Sequence, residues 1–338
     1  STTLMQSSSL VSVITISFLS AGLITLAAGI SIIFGANLGT TTGAWLIAGF
    51  GLKVNIAAYA MPMLVFGIIL IFQSSKALKG IGYILAGLGF LFLGIHYMKE
   101  GFEAFKDTIN LAEYAVAGYP GVLLFTIVGI FATVVMQSSH ATLVLTITAL
   151  AAGQVAYENA LALAIGANVG TTITAILGAL SANENGKRLA VAHLIFNSVT
   201  GVIAIAFIFQ LVQLVNGVSA AVGIAEDDYT LKLAVFHTVF NLMGIVVMLP
   251  FMNLQVVFLE KYIPAKEPEV DQPKYLSGAS AAFPGTAVEA VRLETLRVYE
   301  AALRIIIDGL GMKKEQVLSD ADLKQAVAAQ TRIHQFNI

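Results

Sequence analysis

The sequence contains no cysteine, and few of its residues carry charge. Without cysteine the chain of 338 residues has no disulfide framework, no thiol chemistry and no cysteine-based metal site. Charged residues make up 11% of the chain, and the formal net charge of −2 argues against nucleic acid as a partner. The sequence also lacks the constellations of hydrolases, kinases and metalloenzymes. We therefore expect no enzyme and no cofactor.

Hydrophobic residues make up 57% of the chain, and the mean hydropathy of +0.85 is typical of a membrane protein. The few charges are unevenly spread, because residues 1–255 hold 17 of them and the shorter remainder holds 21. This division predicts a transmembrane domain over 1–258. A linker with four prolines follows over 259–284, and a soluble helical region covers 285–338.

One pair of motifs is written twice. Met-Gln-Ser-Ser occurs at 5–8 and again at 136–139, and Gly-Ala-Asn-x-Gly-Thr-Thr occurs at 35–41 and again at 166–172. Both pairs lie 131 residues apart, and 17 of 41 aligned positions from residue 5 onwards are identical, which indicates an internal duplication. The chain begins inside the first copy, so we expect roughly fifty residues matching 84–135 to precede it. No signal peptide pattern is present.

The duplication divides the membrane domain into repeat 1 at about 1–72, repeat 2 at about 81–214 and a further helix at 233–258. Apolar stretches are predicted at 10–33, 34–50, 56–72, 81–98, 120–136, 141–152, 160–181, 190–214 and 233–258. Several exceed the ~17–20 residues that span a bilayer, but 141–152 is too short. The break at Gln137 between two short arms predicts a re-entrant hairpin, which survives only where protein or a water-filled cavity satisfies its backbone.

Loop charges give the orientation. The basic loops are taken as cytoplasmic, and they contain Lys76, Lys79, Lys187, Arg188, Lys261 and Lys266. The segments 99–113 and 226–232 are mixed or acidic and fall on the other side. With both hairpins re-entrant, 34–50 crosses outward and 160–181 crosses inward. The fold class predicted is therefore an all-α polytopic membrane protein with two inverted-topology repeats, each with a re-entrant hairpin and a broken transmembrane helix.

These motifs resemble the type II sodium-dependent phosphate cotransporter family over about 5–258. Two His-x-x-x-Asn segments, at 193–197 and 237–241, resemble helices of its bacterial members. The region from about 285 resembles the start of their PhoU-like domain and ends in mid-pattern. The resemblance implies sodium-coupled phosphate uptake across the inner (plasma) membrane, with a cytoplasmic C-terminal tail. Phosphate, sodium and lipid are the partners expected, and homo-oligomerisation is left open.

The chemistry of the motifs also favours a cation-coupled anion. No charged residue occurs in 5–45, and only Glu158 occurs in 136–176, so an anion held there would depend on hydroxyls, amides, helix ends and bound cations. Side-chain oxygens suit a hard cation such as sodium, which would bind at the same residues as co-substrate. The binding residues predicted are Gln6, Ser7, Ser8, Ser9, Asn37, Thr40, Thr41, Gln137, Ser138, Ser139, Asn168, Thr171 and Thr172. Four glycines are predicted to permit helix unwinding: Gly35, Gly39, Gly166 and Gly170.

His140 departs from the family pattern, because a histidine stands where the first copy has Ser9. The ordinary pKa of histidine lies near 6.5, and we predict that His140 lowers the apparent sodium affinity below about that pH. The alternative is that His140 faces a vestibule and has no role. Packing by the glycines and hydrogen bonding between helices by the His-x-x-x-Asn pairs are the structural alternatives. Gln73-Ser74-Ser75 repeats the tip sequence beside two lysines, and we interpret it as a solvated turn.

Two other functions remain open at the level of sequence. A sodium-coupled symporter of another oxyanion or of a dicarboxylate would use the same hydroxyls. A channel or a sensor built around the C-terminal region belongs to another class. A channel needs a continuous pore lined by rings of polar or charged residues, whereas this chain gathers its polar groups at two places.

Overall fold

The computed structural model describes residues 1–51, 56–105, 116–265 and 273–309. Lys266, residues 106–113 of the segment 99–113 and the tail from 310 lie outside the described residues. Every regular element in the described ranges is helical, as the sequence predicts. The α-helices are α1 (Thr2–Met5), α2 (Ser8–Ser20), α3 (Leu26–Trp45), α4 (Ile56–Ile71), α5 (Lys76–Phe105), α6 (Gly118–Met136), α7 (Ser139–Ala151), α8 (Tyr157–Gly170), α9 (Thr172–Ala179), α10 (Glu184–Ala206), α11 (Ile208–Ala221), α12 (Tyr229–Met248), α13 (Met252–Tyr262) and α14 (Pro284–Gly309).

Six helical segments are long and apolar enough to cross a membrane. They are Leu26–Gly49, Lys76–Phe102, Gly118–Met136, Tyr157–Ala179, Glu184–Ala206 and Tyr229–Tyr262. Large apolar side chains such as Phe66, Ile127 and Phe131 are more than half exposed on the outside of the bundle. An apolar outer surface of this kind suits hydrocarbon rather than water.

The predicted boundary between 10–33 and 34–50 is wrong. Helix α2 ends at Ser20, and α3 begins at Leu26. Gly22 ends the first helix with φ of +71°, a conformation that glycine adopts without steric cost, and the Thr25 hydroxyl accepts a hydrogen bond from Ala28 N at 3.2 Å. Gly153 repeats this turn in the second copy with φ of +69°. Hydropathy missed the first boundary because the turn itself is apolar.

The buried apolar residues form two clusters. One contains Ile147, Leu161 and Phe236 at its centre, where α7, α8 and α12 pack together. The other contains Ile16, Ile33 and Phe196, where α2, α3 and α10 meet. Each short helix that follows a Gln-Ser-Ser break is thus enclosed by longer helices.

The helix breaks predicted at Gly35 and Gly39 are wrong, because α3 runs without interruption from Leu26 to Trp45 and becomes a π-helix only at Leu46–Gly51. In the second copy α8 ends at Gly170, but Thr171 keeps helical dihedral angles (φ −63°, ψ −19°) before α9 starts. A glycine can serve close packing while its helix keeps every hydrogen bond.

Gly166 and Gly170 show that packing role. A Cβ on Gly166 would overlap the Thr126 carbonyl oxygen of α6, and a Cβ on Gly170 would lie 2.7 Å from the Ile130 carbonyl oxygen. Across the same interface, a Cβ on Gly129 would overlap the Leu163 carbonyl oxygen. The α6–α8 contact is therefore made backbone to backbone.

We expect Gly166→Ala to lower the thermal stability of the purified protein, and Gly87→Ala to leave it unchanged or slightly raised. The added methyl group at 166 forces two backbones apart, at a cost of about 1–3 kcal/mol. At position 87 in α5 no atom lies within 4 Å of the new Cβ, and alanine is the better helix former. Apparent melting temperatures in detergent measure both. Equal melting temperatures for the two variants would contradict the packing role.

Part of the predicted linker packs against the transmembrane domain. Ser17 Oγ in α2 donates to the Ala279 carbonyl oxygen at 2.7 Å, and Ala279 belongs to the same buried cluster as Ile16. The Tyr275 ring lies 3.1 Å from the position of a Cβ on Gly22. The backbone N–H of Tyr275 donates to Glu294 Oε2 of α14 at 2.9 Å.

Glu294 holds the segment to α14. Its Oε2 atom also accepts from Lys274 N at 2.8 Å, and its Oε1 atom pairs with Arg297 at 2.5 Å. Burial raises the pKa of Glu294, but the hydrogen bonds from Tyr275, Arg297 and Lys274 outweigh that cause and hold the pKa below its ordinary value.

Candidate transport site

Both Gln-Ser-Ser motifs form the same backbone break. Gln6 ends α1 with φ 50° and ψ 25°, and Gln137 ends α6 with φ 51° and ψ 26°. Each following serine caps the next helix, since Ser7 Oγ accepts from Leu10 N at 3.2 Å and Ser138 Oγ accepts from Ala141 N at 3.1 Å. In each copy, therefore, a glutamine lies next to the N-terminus of the following helix. We call these points tip 1 (Gln6–Ser9) and tip 2 (Gln137–His140).

The left-handed conformation of the glutamines has a cost. For a residue with a Cβ it is unfavourable by roughly 1–2 kcal/mol, and within the described ranges Gln6 and Gln137 are the only residues other than glycine with positive φ. Glycine would relieve the strain at either position. Strain that a sequence keeps twice, at matching positions, is a reason to look for function in the side chain.

Tip 1 contacts both copies of the Gly-Ala-Asn motif helix. Gln6 Nε2 donates to Thr42 Oγ1 of α3 at 2.9 Å, and Ser9 Oγ lies 3.3 Å from Thr171 Oγ1. Thr174 Oγ1 of α9 donates to Ser9 Oγ at 2.9 Å. Ser8 is buried, and Ser7 is spent on its cap. The hydroxyl of Ser9 thus links tip 1 to the second copy.

Tip 2 reaches in the opposite direction, to the first copy. His140 packs against Gly43 of α3, where a Cβ would lie 2.6 Å from His140 Nδ1 and 2.5 Å from Gln6 Oε1. Among the described atoms neither Gln6 Oε1 nor His140 Nδ1 has a hydrogen-bond partner, although both are buried. Ser139 is buried and Gln137 is exposed. Two unsatisfied polar atoms from different copies therefore face the same point on α3.

The side chains of the other predicted binding residues already make hydrogen bonds. Within their own helices, Asn37 Nδ2 donates to the Ile33 carbonyl oxygen at 3.1 Å, and Thr40 Oγ1 donates to Ala36 at 2.9 Å. Thr41 and Thr172 make the same kind of bond to the residues three positions earlier. A hydroxyl that donates to its own backbone still has a lone pair that could bind a cation, but this hydrogen bond is not evidence for a cation site.

Asn168 takes part in a buried network instead. Its Nδ2 donates to Asn241 Oδ1 at 2.8 Å, and its Oδ1 lies 3.1 Å from His237 Nε2. The second His-x-x-x-Asn pair therefore bonds α12 to α8. The first pair differs, because His193 and Asn197 are 1% and 0% exposed and no nitrogen or oxygen of either side chain has a partner among the described residues.

Sequence reasoning missed Thr42, Gly43 and Thr174 as parts of this region. A signal was present, because Gly43 and Thr174 are themselves 131 positions apart and each lies two residues after its Gly-Ala-Asn-x-Gly-Thr-Thr motif. Their importance depends on which residues face them across the fold, and that requires the contacts between copies.

The region around the tips offers hydroxyl and amide oxygens and two helix N-termini, and among the described residues no lysine, arginine or carboxylate contacts tip 1 or tip 2. In the described part of the chain no group of three His, Asp or Glu residues could hold a metal ion, so a transition-metal centre is not indicated there. Neutral oxygens suit sodium, and hydroxyls with helix N-termini suit an oxyanion. A multi-pass helical protein with such a polar region inside it is of the solute-transporter class.

Comparison with known proteins identifies the family. A model described as Na+/Pi-cotransporter matches residues 1–100 and 121–227, and the chain belongs to that family. The chain is 30% identical over 322 residues to the Escherichia coli K12 protein named "Putative inorganic phosphate export protein YjbB", with 91% of this chain and 55% of the relative covered. The protein of that name in Salmonella typhimurium is 28% identical over 322 residues.

The chain spans about half the length of these curated relatives. No solved structure matches it. The resemblance read from the motifs is confirmed, and the chain is a multi-pass membrane protein of a phosphate transporter family, which is not a family of enzymes.

Proposed function

We propose that the protein is a secondary active transporter that couples inorganic phosphate to sodium by alternating access between two inverted repeats. The observation that carries this proposal is the pair of glutamine breaks with matching dihedral angles, each contacting the motif helix of the other copy. In this proposal tips 1 and 2 are re-entrant and meet at mid-depth, and the binding residues are those named from the sequence, with Thr42 and Thr174 added.

Electrostatics explains why sodium is needed. Moving one isolated ion into a medium of low dielectric costs on the order of 20 kcal/mol in the idealised case. The N-termini of α2 and α7 point at the tips, but a helix end contributes at most about 2 kcal/mol. Co-bound sodium ions neutralise the phosphate charge, and hydroxyls and N–H groups can then supply the remaining stabilisation. The membrane potential adds about 2.3 kcal/mol per net charge per 100 mV.

Direction follows from the gradients, because a coupled transporter works reversibly. With sodium high outside we propose uptake across the plasma membrane with the C-terminal region in the cytoplasm. The relatives' name refers to export, which the same site would carry out under reversed gradients. The α14 region is the start of a PhoU-like domain in this proposal, and a regulatory role as a sensor would add to transport rather than replace it.

The deciding experiment is sodium-dependent uptake of labelled phosphate into proteoliposomes. An inward sodium gradient should drive accumulation, and replacing sodium by choline should abolish it. An excess of sulfate or succinate should leave uptake largely intact if phosphate is the substrate, whereas strong competition by succinate would favour the dicarboxylate symporter. Uptake that does not depend on the sodium gradient, and in which phosphate never accumulates above its electrochemical equilibrium, would instead indicate a channel.

Single cysteines test the orientation of the second repeat, since the chain has no cysteine of its own. In sealed right-side-out vesicles we expect Asp227→Cys to react with an impermeant maleimide from outside and Lys187→Cys to react only after permeabilisation. Both side chains are exposed. In the proposed topology the residues lie on opposite faces, because α10 crosses the membrane and α11, with 14 residues, is too short to cross back. Labelling of both from the same side would refute that assignment.

A further inference from the structure

A cavity of about 590 Å³ lies away from the tips, between the turn after α7 and the helices α11 and α12. The residues that matter to its chemistry are Tyr157, Glu158, Asn216, Glu226, Tyr229 and Lys232. Helix α7 has 13 residues and leads from tip 2 to this turn, so the cavity lies about 20 Å along the helix from the tip. It is therefore a separate place from the transport site.

Lys232 is the unusual residue of the cavity. Its side chain is only 6% exposed, and within the described part of the chain it forms no ion pair. Its Nζ lies 5.5 Å from the centre of the Tyr229 ring. A cation–π contact at this distance offsets only part of the cost of burying an ammonium group, so the side chain still favours an anion beside it.

The Tyr157 hydroxyl is a second donor without an acceptor. This oxygen is buried and has no hydrogen-bond partner in the described structure, and the Tyr157 ring packs on Tyr229 at 5.0 Å. Tyr157 and Lys232 both line the cavity. An oxyanion placed there could accept from Lys232, and a small rotation of the Tyr157 side chain would bring its enclosed hydroxyl to the same anion, which would satisfy two polar groups that the described residues leave unpaired.

The cavity is also lined by two carboxylates, Glu158 and Glu226, which repel an anion and oppose the attraction by Lys232. Both glutamates are exposed, so water and salt screen their repulsion of an anion. Lys232 is buried, where the effective dielectric is lower and its attraction is stronger at a given distance. At a given distance the buried ammonium therefore attracts an anion more strongly than either screened carboxylate repels it.

The matching turn in the first copy has different surroundings. There Tyr275 and Leu293 lie 3.1 Å and 3.4 Å from the position of a Cβ on Gly22, whereas nothing described lies within 4 Å of a Cβ on Gly153. The C-terminal region thus covers the first turn, and the second turn opens into the polar cavity.

We propose that this cavity is a second, sodium-independent binding site for inorganic phosphate, an antechamber in which Lys232 and the Tyr157 hydroxyl hold the anion before it reaches the tips. The identity of the anion rests on the proposed function. The site itself rests on the two unpaired donors and the cavity. A phosphate headgroup of an anionic lipid offers the same oxygens, and the experiment below separates the two sources.

The test uses Asn216→Cys in the cysteine-free chain, because residue 216 is exposed and lines the cavity. The rate of reaction with N-ethylmaleimide is measured on protein in neutral detergent, with choline replacing sodium and chloride matching the ionic strength. Phosphate at ten times its half-protecting concentration should slow the reaction about tenfold, because about a tenth of the sites then remain free. Lys187→Cys, at an exposed position outside the cavity, should show no protection.

Lys232→Gln in the Asn216→Cys background should remove the protection, whereas Lys232→Arg should retain it. If Lys232→Gln does not yield folded protein, Tyr157→Phe is the second variant, and it should weaken protection severalfold. Equal rates with and without phosphate, or protection that survives Lys232→Gln, would overturn the proposal. Protection by phosphatidylglycerol alone, with no effect of phosphate, would overturn it as well. Because no sodium and no transport are involved, this result is independent of the uptake experiment.

Discussion

Gln6→Ala and Gln137→Ala are each expected to reduce sodium-coupled phosphate uptake about tenfold to a hundredfold while the protein still inserts and purifies. Each change removes an amide from a tip and leaves ligand or protein groups without a partner, at a cost of about 1–3 kcal/mol, and 1.4 kcal/mol corresponds to a tenfold change. Initial rates in proteoliposomes, normalised to the amount of reconstituted protein, measure the effect.

Two further variants separate the side chain from the backbone. Gln6→Gly keeps the left-handed conformation and relieves its strain, so we expect a melting temperature at or above the wild-type value together with lost uptake. Gln73→Ala is the matched control, because Gln73 is the first residue of the other Gln-Ser-Ser sequence but lies exposed at the end of α4, where its Nε2 donates to the Ile69 carbonyl oxygen. Normal uptake by both Gln6→Ala and Gln137→Ala would contradict the assignment of the site.

The tips could be predicted from the sequence because their signal is local. A polar tetrapeptide between two apolar arms, repeated at a fixed distance, predicts a helix break wherever it lies, and the structure breaks both helices at the glutamine. The glycines of the second motif gave a weaker signal. Gly166 permits both unwinding and close packing, and only the position of α6 beside α8 decides between them.

The hydrogen-bond partners of Asn168 and Asn37 could not be predicted for a related reason. The two asparagines occupy equivalent positions in the repeat, yet Asn168 bonds to His237 and Asn241 while the amide of Asn37 donates within its own helix. Identical local sequence gives different partners because α12 places His237 and Asn241 beside Asn168, whereas the amide of Asn37 bonds within α3. His193 and Asn197, which stay unpaired, show the same dependence on tertiary packing.

The contact between copies explains the departure at His140. In one direction Ser9 is paired with Thr174 at 2.9 Å, and in the other His140 is paired with Gly43. Position 140 is the counterpart of position 9, and position 43 is the counterpart of position 174. A small residue at the tip thus meets a threonine on the helix, and a large residue at the tip meets a glycine. The volumes are matched across the interface, as close packing of protein interiors requires.

This matching predicts a strong rescue. Gly43→Thr alone should abolish most uptake, because its Cβ would overlap the imidazole ring and lie 2.6 Å from His140 Nδ1. Overpacking of this kind costs typically about 1–3 kcal/mol. Adding His140→Ser should restore uptake to within about fivefold of wild type, since the pair then reproduces the hydroxyl contact of Ser9 with Thr174. The flexible amide of Gln6 must rotate away from the new side chain.

Gly87→Thr in α5 is the control, because nothing lies within 4 Å of its Cβ position and it lies outside both motifs, so it should change uptake little. Measuring uptake and melting temperature for the two single variants and the double variant gives the coupling energy between positions 43 and 140. Contacting residues typically give about 0.5–3 kcal/mol. Strictly additive effects would show that tip 2 and α3 act independently, and the exchange of contacts between the two copies would then have no part in transport.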